Sequence, residues 1–181
     1  TGKAGEVGVV YTRGAIPAKR VLVVGLGKLE ELDLEGVRQA AATAIKRARD
    51  LNAKDVATIL HGAGAGGLDQ AAAAQAVAEG TLLALYTFDL LKSQPEPKGE
   101  IQSVTVVESG EITAVKAGVE LAETIAAGVF LTRDLVNMPP NMATPTRLAA
   151  AAQEIAQACG MKITVGDRQW AEERKMGSFL G

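Results

Sequence analysis

The chain has 181 residues, of which 48% are hydrophobic and 22% are charged, so its composition is that of a globular protein and excludes a disordered one. Aromatic residues make up only 3%, and alanine dominates the apolar residues, which predicts cores built from small side chains. The net charge is −2 and no basic run is present, which disfavours nucleic acid as a partner.

The single cysteine, Cys159, excludes an internal disulfide. It lies in a helical pattern beside Ile155 and Ala156, which predicts a buried structural thiol. Neither a signal peptide nor an apolar run of membrane-spanning length is visible, so we expect a cytoplasmic protein and no membrane partner.

Strands and helices alternate in the first part of the chain. Residues 7–11 are predicted as a strand. The continuous apolar run at 20–25 is typical of a strand buried on both faces, and residues 56–60 are predicted as a second buried strand. Asp33 is predicted to cap one helix, and Asp69 to open a longer helix towards residue 92. This alternation predicts parallel strand pairing with right-handed crossovers.

A long helix follows a solvated loop at 93–99 and a strand at 101–107. The helical pattern over 111–136 corresponds to about 40 Å at roughly 1.5 Å per residue, long enough to connect two domains. Two consecutive prolines stop it near Asn137, because proline lacks a backbone donor and forces the preceding residue out of the helical region.

After the prolines, Thr144 is a predicted N-cap and Pro145 a predicted first helical residue. A short strand at 162–165 and an acid-capped helical turn at 167–175 are predicted next. A lone strand buries little, so residues 137–181 are not expected to form an independent core.

The predicted fold is α/β: a mixed, mostly parallel sheet flanked by helices, then a long connecting helix and an incomplete second α/β domain. The predicted boundaries are 1–110 for the N-terminal domain, 111–136 for the connecting helix and 137–181 for the second domain.

The loop Gly62–Gly67 has the spacing GxGxxG between a predicted strand and a predicted helix. Such a loop can bring backbone donors to a phosphate, so a stand-alone module that binds a nucleotide or ADP-ribose is an alternative hypothesis. Two observations oppose it. Asp69 would repel phosphate near that helix end, and Asp89 falls inside the predicted helix instead of at the end of a strand.

Other candidate residues have simpler interpretations. His61 is the only histidine, so no HExxH or CxxC metal site can form, and we expect it to anchor a loop. Gly25–Lys28 is predicted to be a structural turn, and Glu172 and Glu173 a solvated helix face. The sequence therefore predicts no catalytic, metal-binding or ligand-binding residue in this chain.

Four segments carry a family resemblance, in order along the chain: AKRVLVVGLGK at 18–28, LALYTFDLLKS at 83–93, RDLVNMPPNMATPTRLA at 133–149 and KMGSFLG at 175–181. Together they resemble the leucyl aminopeptidase (cytosol aminopeptidase) family, in its N-terminal domain and the start of its catalytic domain.

The resemblance implies a macro-domain-like N-terminal fold, with further strands upstream, that contributes to a hexamer. It also implies a parent enzyme that removes N-terminal amino acids from peptides with two divalent metals, zinc or manganese. The metal ligands of the family would follow residue 181, so the chain alone is expected to be inactive.

Overall fold

The computed structural model describes residues 2–94, 99–110 and 112–180. Their contacts divide the chain into two compact units, Thr1–Thr132 and Arg133–Gly181. None of the described helices is long and apolar enough to cross a membrane.

The first unit combines two pairs of strands with helices, which confirms the predicted mixed α/β class. β1 pairs with β2 in antiparallel orientation, and β3 pairs with β4 in parallel. The elements are β1 (Val7–Tyr11), β2 (Arg20–Val24), α1 (Leu34–Asp50), β3 (Asp55–Ile59), α2 (Gln70–Leu85), β4 (Ser103–Val107) and α3 (Thr113–Asn137).

The strands β2 and β3 are not neighbours in the described structure, although α1 connects them. The predicted parallel pairing therefore holds for β3 with β4 but is wrong for β2 with β3. An open cleft lined by both strands lies where the pairing was expected.

The prediction that β2 and β3 are buried on both faces is also wrong. Burial alternates along each strand, so that Leu22 is half-buried whereas Val23 is 58% exposed and Ile59 is 70% exposed. An apolar run does not reveal how many faces of a strand are covered, and here only alternate side chains are sheltered.

The core of the first unit lies where α1 packs against α2. Small side chains let the two helices approach closely, and a side chain on Gly80 would overlap the carbonyl oxygen of Arg38. The buried core cluster consists of Val37, Ala41, Leu60, Ala73, Ala74, Ala76, Val77 and Val115. Alanine-rich helices thus bury their apolar surface through backbone proximity and not through large side chains.

Both predicted acidic caps of this unit are present. The Asp33 carboxylate accepts a hydrogen bond from the Gly36 amide at 2.8 Å, and the Asp69 carboxylate accepts one from Ala72 at 2.9 Å. Each satisfies an amide that the first turn of a helix leaves without an intrahelical partner.

The second of these helices ends earlier than predicted. α2 stops at Leu85, because Tyr86 adopts an extended conformation with ψ of 132°, and the Tyr86 ring stacks on Phe130 at 5.4 Å between centroids. Asp89 therefore lies outside the helix, which corrects the prediction that it lies inside. The predicted loop at 93–99 includes residues 95–98, which lie outside the described residues.

In the second unit the proline stop is confirmed, since α3 ends at Asn137. The Pro139 carbonyl accepts bonds from the Met142 and Ala143 amides at 2.8 and 2.9 Å and closes the turn. α4 (Pro145–Ala158) then begins with Thr144 as its N-cap, as predicted.

The predicted strand at 162–165 is absent from the described second unit, whose remaining elements are α5 (Arg168–Glu173) and α6 (Gly177–Leu180). An extended segment becomes a strand only when another strand pairs with its backbone, and the described residues supply none here. The Asp167 carboxylate caps α5 by accepting from the Trp170 amide at 2.8 Å, as the sequence predicted.

Candidate functional site

Backbone amides at the C-terminal end of the loop Gly62–Gly67 donate to carbonyls of the same loop. The Gly67 amide donates to the Gly64 carbonyl at 3.0 Å, and the Leu68 amide donates to the Gly62 carbonyl at 3.1 Å. Gly62 has φ of +95°, and a Cβ there would lie 2.7 Å from Val37 Cγ2. Glycine is therefore required at Gly62 for backbone conformation and for close packing on α1.

The N-terminus of α2, which follows this loop, already has an anionic partner. The Asp69 carboxylate bonds the Ala72 amide, in the position that a bound phosphate would need. The Gly66, Gly67 and Leu68 amides bond carbonyls of the loop, and the helix that follows carries an acidic cap, which is typical of a structural turn. The geometry thus disfavours the nucleotide or ADP-ribose hypothesis.

His61 lies between β3 and the glycine loop and contacts backbone carbonyls. Its Nδ1 is 3.3 Å from the Ile59 carbonyl oxygen, and its Nε2 is 3.4 Å from that of Val37. These contacts tie the end of β3 to α1, as expected of a loop-anchoring histidine.

The turn Gly25–Lys28 is structural. The Gly25 amide donates to the Glu6 carbonyl at 2.8 Å, and a side chain on Gly25 would overlap the Lys3 carbonyl oxygen. The glycine therefore allows the polypeptide before β1 to cross the end of β2.

A charged network that no sequence motif indicated joins α1 to α2. Arg38 Nε donates to Glu79 Oε2 at 2.5 Å, and Gln75 Nε2 donates to Glu79 Oε1 at 2.7 Å. The Glu79 side chain is only 8% exposed. The hydrogen bond that Arg38 donates to Glu79 raises the pKa of the Arg38 guanidinium above its ordinary value, and burial opposes that rise. The sequence feature that could have indicated this ion pair is the single glutamate within the alanine-rich apolar run of α2.

The cleft between β2 and β3 has a volume of about 940 Å³. Every residue of both strands lines it, and its floor is the face of α1 that carries Ala40, Ala44 and Ala48. Arg20 closes one end, where its guanidinium donates to the Leu51 carbonyl at 2.6 Å. The walls are thus mainly strand backbone and aliphatic side chains.

Charged groups in the second unit lie on its surface. Glu172 pairs with Arg168 at 3.1 Å and Glu173 with Arg174 at 3.9 Å, all at exposed positions, so the predicted solvated face is confirmed. Cys159 is exposed, which makes the predicted buried thiol wrong. It is the C-cap of α4, and the helical face that it occupies is uncovered within this unit.

No set of three or more His, Cys, Asp or Glu side chains is arranged to hold a metal ion among residues 2–94, 99–110 and 112–180. The described candidate residues therefore serve caps, turns and helix packing, and the structure does not bring them together at one reactive centre.

Comparison with known proteins shows which family this chain resembles. Residues 1–95 match the model of the cytosol aminopeptidase family, N-terminal domain, and residues 130–181 match that of the cytosol aminopeptidase family, catalytic domain. A relative named "Probable cytosol aminopeptidase" from Roseiflexus castenholzii is 38% identical over 183 residues. The alignment covers 99% of this chain and 37% of the relative, so the chain spans little more than a third of the length of that protein.

Solved structures agree with the sequence matches. A mutant of tomato leucine aminopeptidase superposes with a TM-score of 0.83 and 27% identity, over 96% of this chain and 34% of that one. The bottromycin maturation enzyme BotP in complex with Mn gives a TM-score of 0.73 and 28% identity, over 88% of this chain and 32% of that one. From the ordered match to both domain models, we conclude that the chain belongs to the cytosol aminopeptidase family.

Proposed function

We propose that this chain is the N-terminal portion of a metal-dependent aminopeptidase that removes N-terminal amino acids from peptides. The observation that carries the proposal is the order of the two family matches, with the N-terminal domain at 1–95 followed by the catalytic domain at 130–181. The tomato enzyme with the same fold over 96% of this chain is named a leucine aminopeptidase, which supports an exopeptidase activity for the longer protein.

The chemistry of this proposal belongs to the part of the relatives that the chain does not span. A two-metal hydrolase needs several carboxylate ligands around its ions. The described residues offer no such set, so zinc or manganese would be held by other residues of the longer protein. The relative BotP was solved with Mn, which supports a divalent metal in that longer protein.

The first unit then has a structural role. Its charged residues stabilise helix contacts and caps, and its core joins α1, α2 and the start of α3. We propose that this unit supplies a surface for assembly and that the longer protein forms a hexamer in the cytoplasm. Sedimentation of the longer protein tests the hexamer, and a monomer at micromolar concentration would reject it.

Hydrolysis of leucine p-nitroanilide with added manganese tests the activity. We expect turnover by the longer protein that chelation abolishes, and none by the 181-residue chain, because the chain's described residues lack the ligand set. Turnover by the purified 181-residue chain that is lost with chelator would show that its own residues bind the metal. Absence of turnover by the longer protein on a panel of aminoacyl anilides would reject the proposed function.

A further inference from the structure

A second cavity of the first unit lies where α2 ends and the chain approaches β4. It has a volume of about 360 Å³, and none of its described lining residues also lines the cleft between β2 and β3. We refer to it as the end cavity. Three stretches of the chain meet around it, and its walls include Arg49 from α1, Leu85, Thr87 and Asp89 from the end of α2 and beyond, and Glu100 and Ile101 from the segment before β4.

Backbone contacts fix two of these stretches against each other. The Gln102 and Ser103 amides donate to the Lys54 carbonyl at 2.7 and 3.2 Å, which ties the segment before β4 to the loop after α1. A side chain on Gly99 would overlap the Arg49 carbonyl oxygen, so glycine allows this segment to lie directly against the end of α1. The end cavity therefore has a backbone frame that does not depend on the conformations of its charged side chains.

Groups of opposite charge line the end cavity without neutralising one another. The half-buried Arg49 side chain and the exposed Glu100 side chain form neither a hydrogen bond nor an ion pair within the described part of the chain. Asp89, by contrast, pairs with Lys92 at 2.7 Å and is still 27% exposed. A guanidinium and a carboxylate that line one cavity but do not meet leave room for a ligand that carries both charges.

Apolar side chains complete the lining. Leu85 and Ile101 are both half-buried and offer aliphatic surface to the cavity. The volume of the cavity lies at the small end of the range for ligand pockets, which is roughly 300–1,000 Å³. The size thus suits a single amino acid better than a peptide.

Simple ions would satisfy only part of this lining. An inorganic anion would pair with Arg49 but would be repelled by the carboxylates of Asp89 and Glu100, and a simple cation would be repelled by Arg49. An α-amino acid carries a carboxylate and an ammonium on one carbon, so it can pair with both kinds of group. Guanidinium groups bind carboxylates in a bidentate geometry, which would orient such a ligand.

We propose that the end cavity binds a free α-amino acid with an aliphatic side chain. Arg49 pairs with the carboxylate of the ligand, Glu100 accepts hydrogen bonds from its ammonium, and the aliphatic side chain contacts Leu85 and Ile101. The inference does not rest on the proposed function, because these residues bind the ligand whether or not the longer protein hydrolyses peptides. The amino acids that an aminopeptidase releases are ligands of this class.

Amide-resolved NMR titration of the 181-residue chain with L-leucine tests the proposal. We expect the Thr87 and Glu100 amide signals to shift with a Kd on the order of 1 mM, because two charge-assisted contacts form at a site that is open to solvent. The Val23 and Ala57 amides are controls and should not shift, since these residues line the cleft. Absence of saturable shifts up to about 20 mM leucine, or shifts confined to Val23 and Ala57, would overturn the proposal.

Analogues of leucine separate the zwitterion from simpler ligands. Isocaproate lacks the ammonium, and isoamylamine lacks the carboxylate, but both keep the side chain. Each should bind at least about 10-fold more weakly than leucine, because one charged wall of the cavity stays unpaired. Affinity for isocaproate equal to that for leucine would indicate an anion site, and equal affinity for isoamylamine a cation site. Either result would overturn the proposal.

Substitutions assign each charge of the ligand to one wall. Arg49→Gln should weaken the binding of leucine and isocaproate at least about 10-fold and leave that of isoamylamine unchanged. Glu100→Gln should weaken the binding of leucine and isoamylamine but not that of isocaproate. Arg47→Gln, on α1 but outside the cavity lining, is the matched control and should change none of the three affinities. Equal weakening of all three ligands by Arg49→Gln would indicate a structural role and contradict the assignment.

The test also covers loss of the fold. Far-ultraviolet circular dichroism shows whether each variant keeps its helices, and the analogue series decides without any substitution. If the 181-residue chain does not hold its fold alone, the longer protein is titrated after its metal has been removed by chelation. That protein should bind one leucine per chain more than its Arg49→Gln variant, and equal numbers of bound leucine would overturn the proposal.

Discussion

Glu79 is a charge that the fold keeps inside a helix interface. Both of its carboxylate oxygens accept a hydrogen bond, one from Arg38 and one from Gln75. Arg38 also reaches Glu35 at 3.2 Å, but Glu35 is mostly exposed. The two ion pairs of one arginine therefore differ in how strongly solvent screens them.

Glu79→Gln is expected to lower the free energy of unfolding by about 1–3 kcal/mol, because an amide NH₂ would face one of the two donors in a nearly dry site. Glu35→Gln is the matched control and should change it by less than about 0.5 kcal/mol. Urea unfolding monitored by circular dichroism measures both. Equal effects of the two substitutions would show that the buried carboxylate of Glu79 contributes no more to stability than the exposed one of Glu35.

The raised pKa of Arg38 has a defined sign in the pH dependence of stability. A cation whose pKa is higher in the folded state stabilises the fold fully below its unfolded pKa and loses that contribution only as the pH rises through the folded pKa. Because arginine titrates far above neutrality, Arg38 protonation should add no slope between about pH 6 and 9.

Two glycines of α3 provide a test of helix packing at single positions. A side chain on Gly118 would overlap the Ala71 carbonyl oxygen on α2, whereas one on Gly128 would meet no atom within 4 Å. We expect Gly118→Ala to destabilise the chain by about 1–2 kcal/mol through overpacking. Gly128→Ala should stabilise it by about 0.5–1 kcal/mol, because alanine is the better helix former.

Chemical denaturation of the two variants in parallel checks this expectation. The same substitution in the same helix should give opposite signs, so differences in helix propensity cancel from the comparison. Stabilisation by both variants would mean that α2 and α3 do not approach each other as closely at Gly118 as the structure indicates.

At the scale of elements, short sequence signals define where most helices start. Asp33, Asp69, Thr144 and Asp167 each accept a bond from an amide three residues ahead. These residues share a small side-chain oxygen that reaches the first turn of the helix, which is why they can be recognised from the sequence.

Asp69→Ala should lower the free energy of unfolding by about 1 kcal/mol, because the Ala72 amide loses its partner at the start of α2. Asp69→Asn keeps a side-chain oxygen at the cap and should retain most of the stability. Thermal unfolding of both variants measures the difference. If Asp69→Asn costs as much as Asp69→Ala, the negative charge and not the hydrogen bond sets the contribution of this cap.

The C-terminal end of α2 shows what local signals do not encode. Residues 83–93 are apolar enough to continue a helix, yet α2 ends at Leu85 where Tyr86 turns towards Phe130. Phe130 is 44 residues further along the chain, so no pattern near Tyr86 could reveal the contact. Long-range packing therefore outweighs helix propensity here.

At the scale of the whole molecule, the two units differ in how much they bury. The core cluster of the first unit includes eight buried residues between Val37 and Val115. In the second unit the buried apolar residues are Ala151 and Ala156 among those described. A core of two alanines contributes little hydrophobic free energy.

We therefore expect a chain that ends at Asn137 to unfold cooperatively with a free energy within about 0.5 kcal/mol of that of the 181-residue chain. Residues 138–181 alone should show no cooperative transition. Urea titrations followed by far-ultraviolet circular dichroism test both pieces. A marked loss of stability in the shorter chain would show that the core of the first unit depends on residues after Asn137.

The boundaries predicted at 110 and 136 stay predictions. The contacts divide the chain after Thr132, and the family models match residues 1–95 and 130–181. Neither division uses the predicted boundaries, so neither tests them. α3 begins in the first unit and ends in the second, so a boundary along it is a matter of definition and not of a break in structure.

The sequence by itself determined the family, the mixed α/β class and the helix starts and proline stop, because these depend on residues that are close together along the chain. The tertiary structure decided which strands pair, where α2 ends, that Cys159 is exposed and that Arg38 meets Glu79. Each of these features depends on whether a residue distant in sequence packs against it, and for Cys159 no described residue covers the thiol. The open cleft between β2 and β3 is another such feature, because a strand's own residues specify its extended form but not the neighbour that completes its hydrogen bonds.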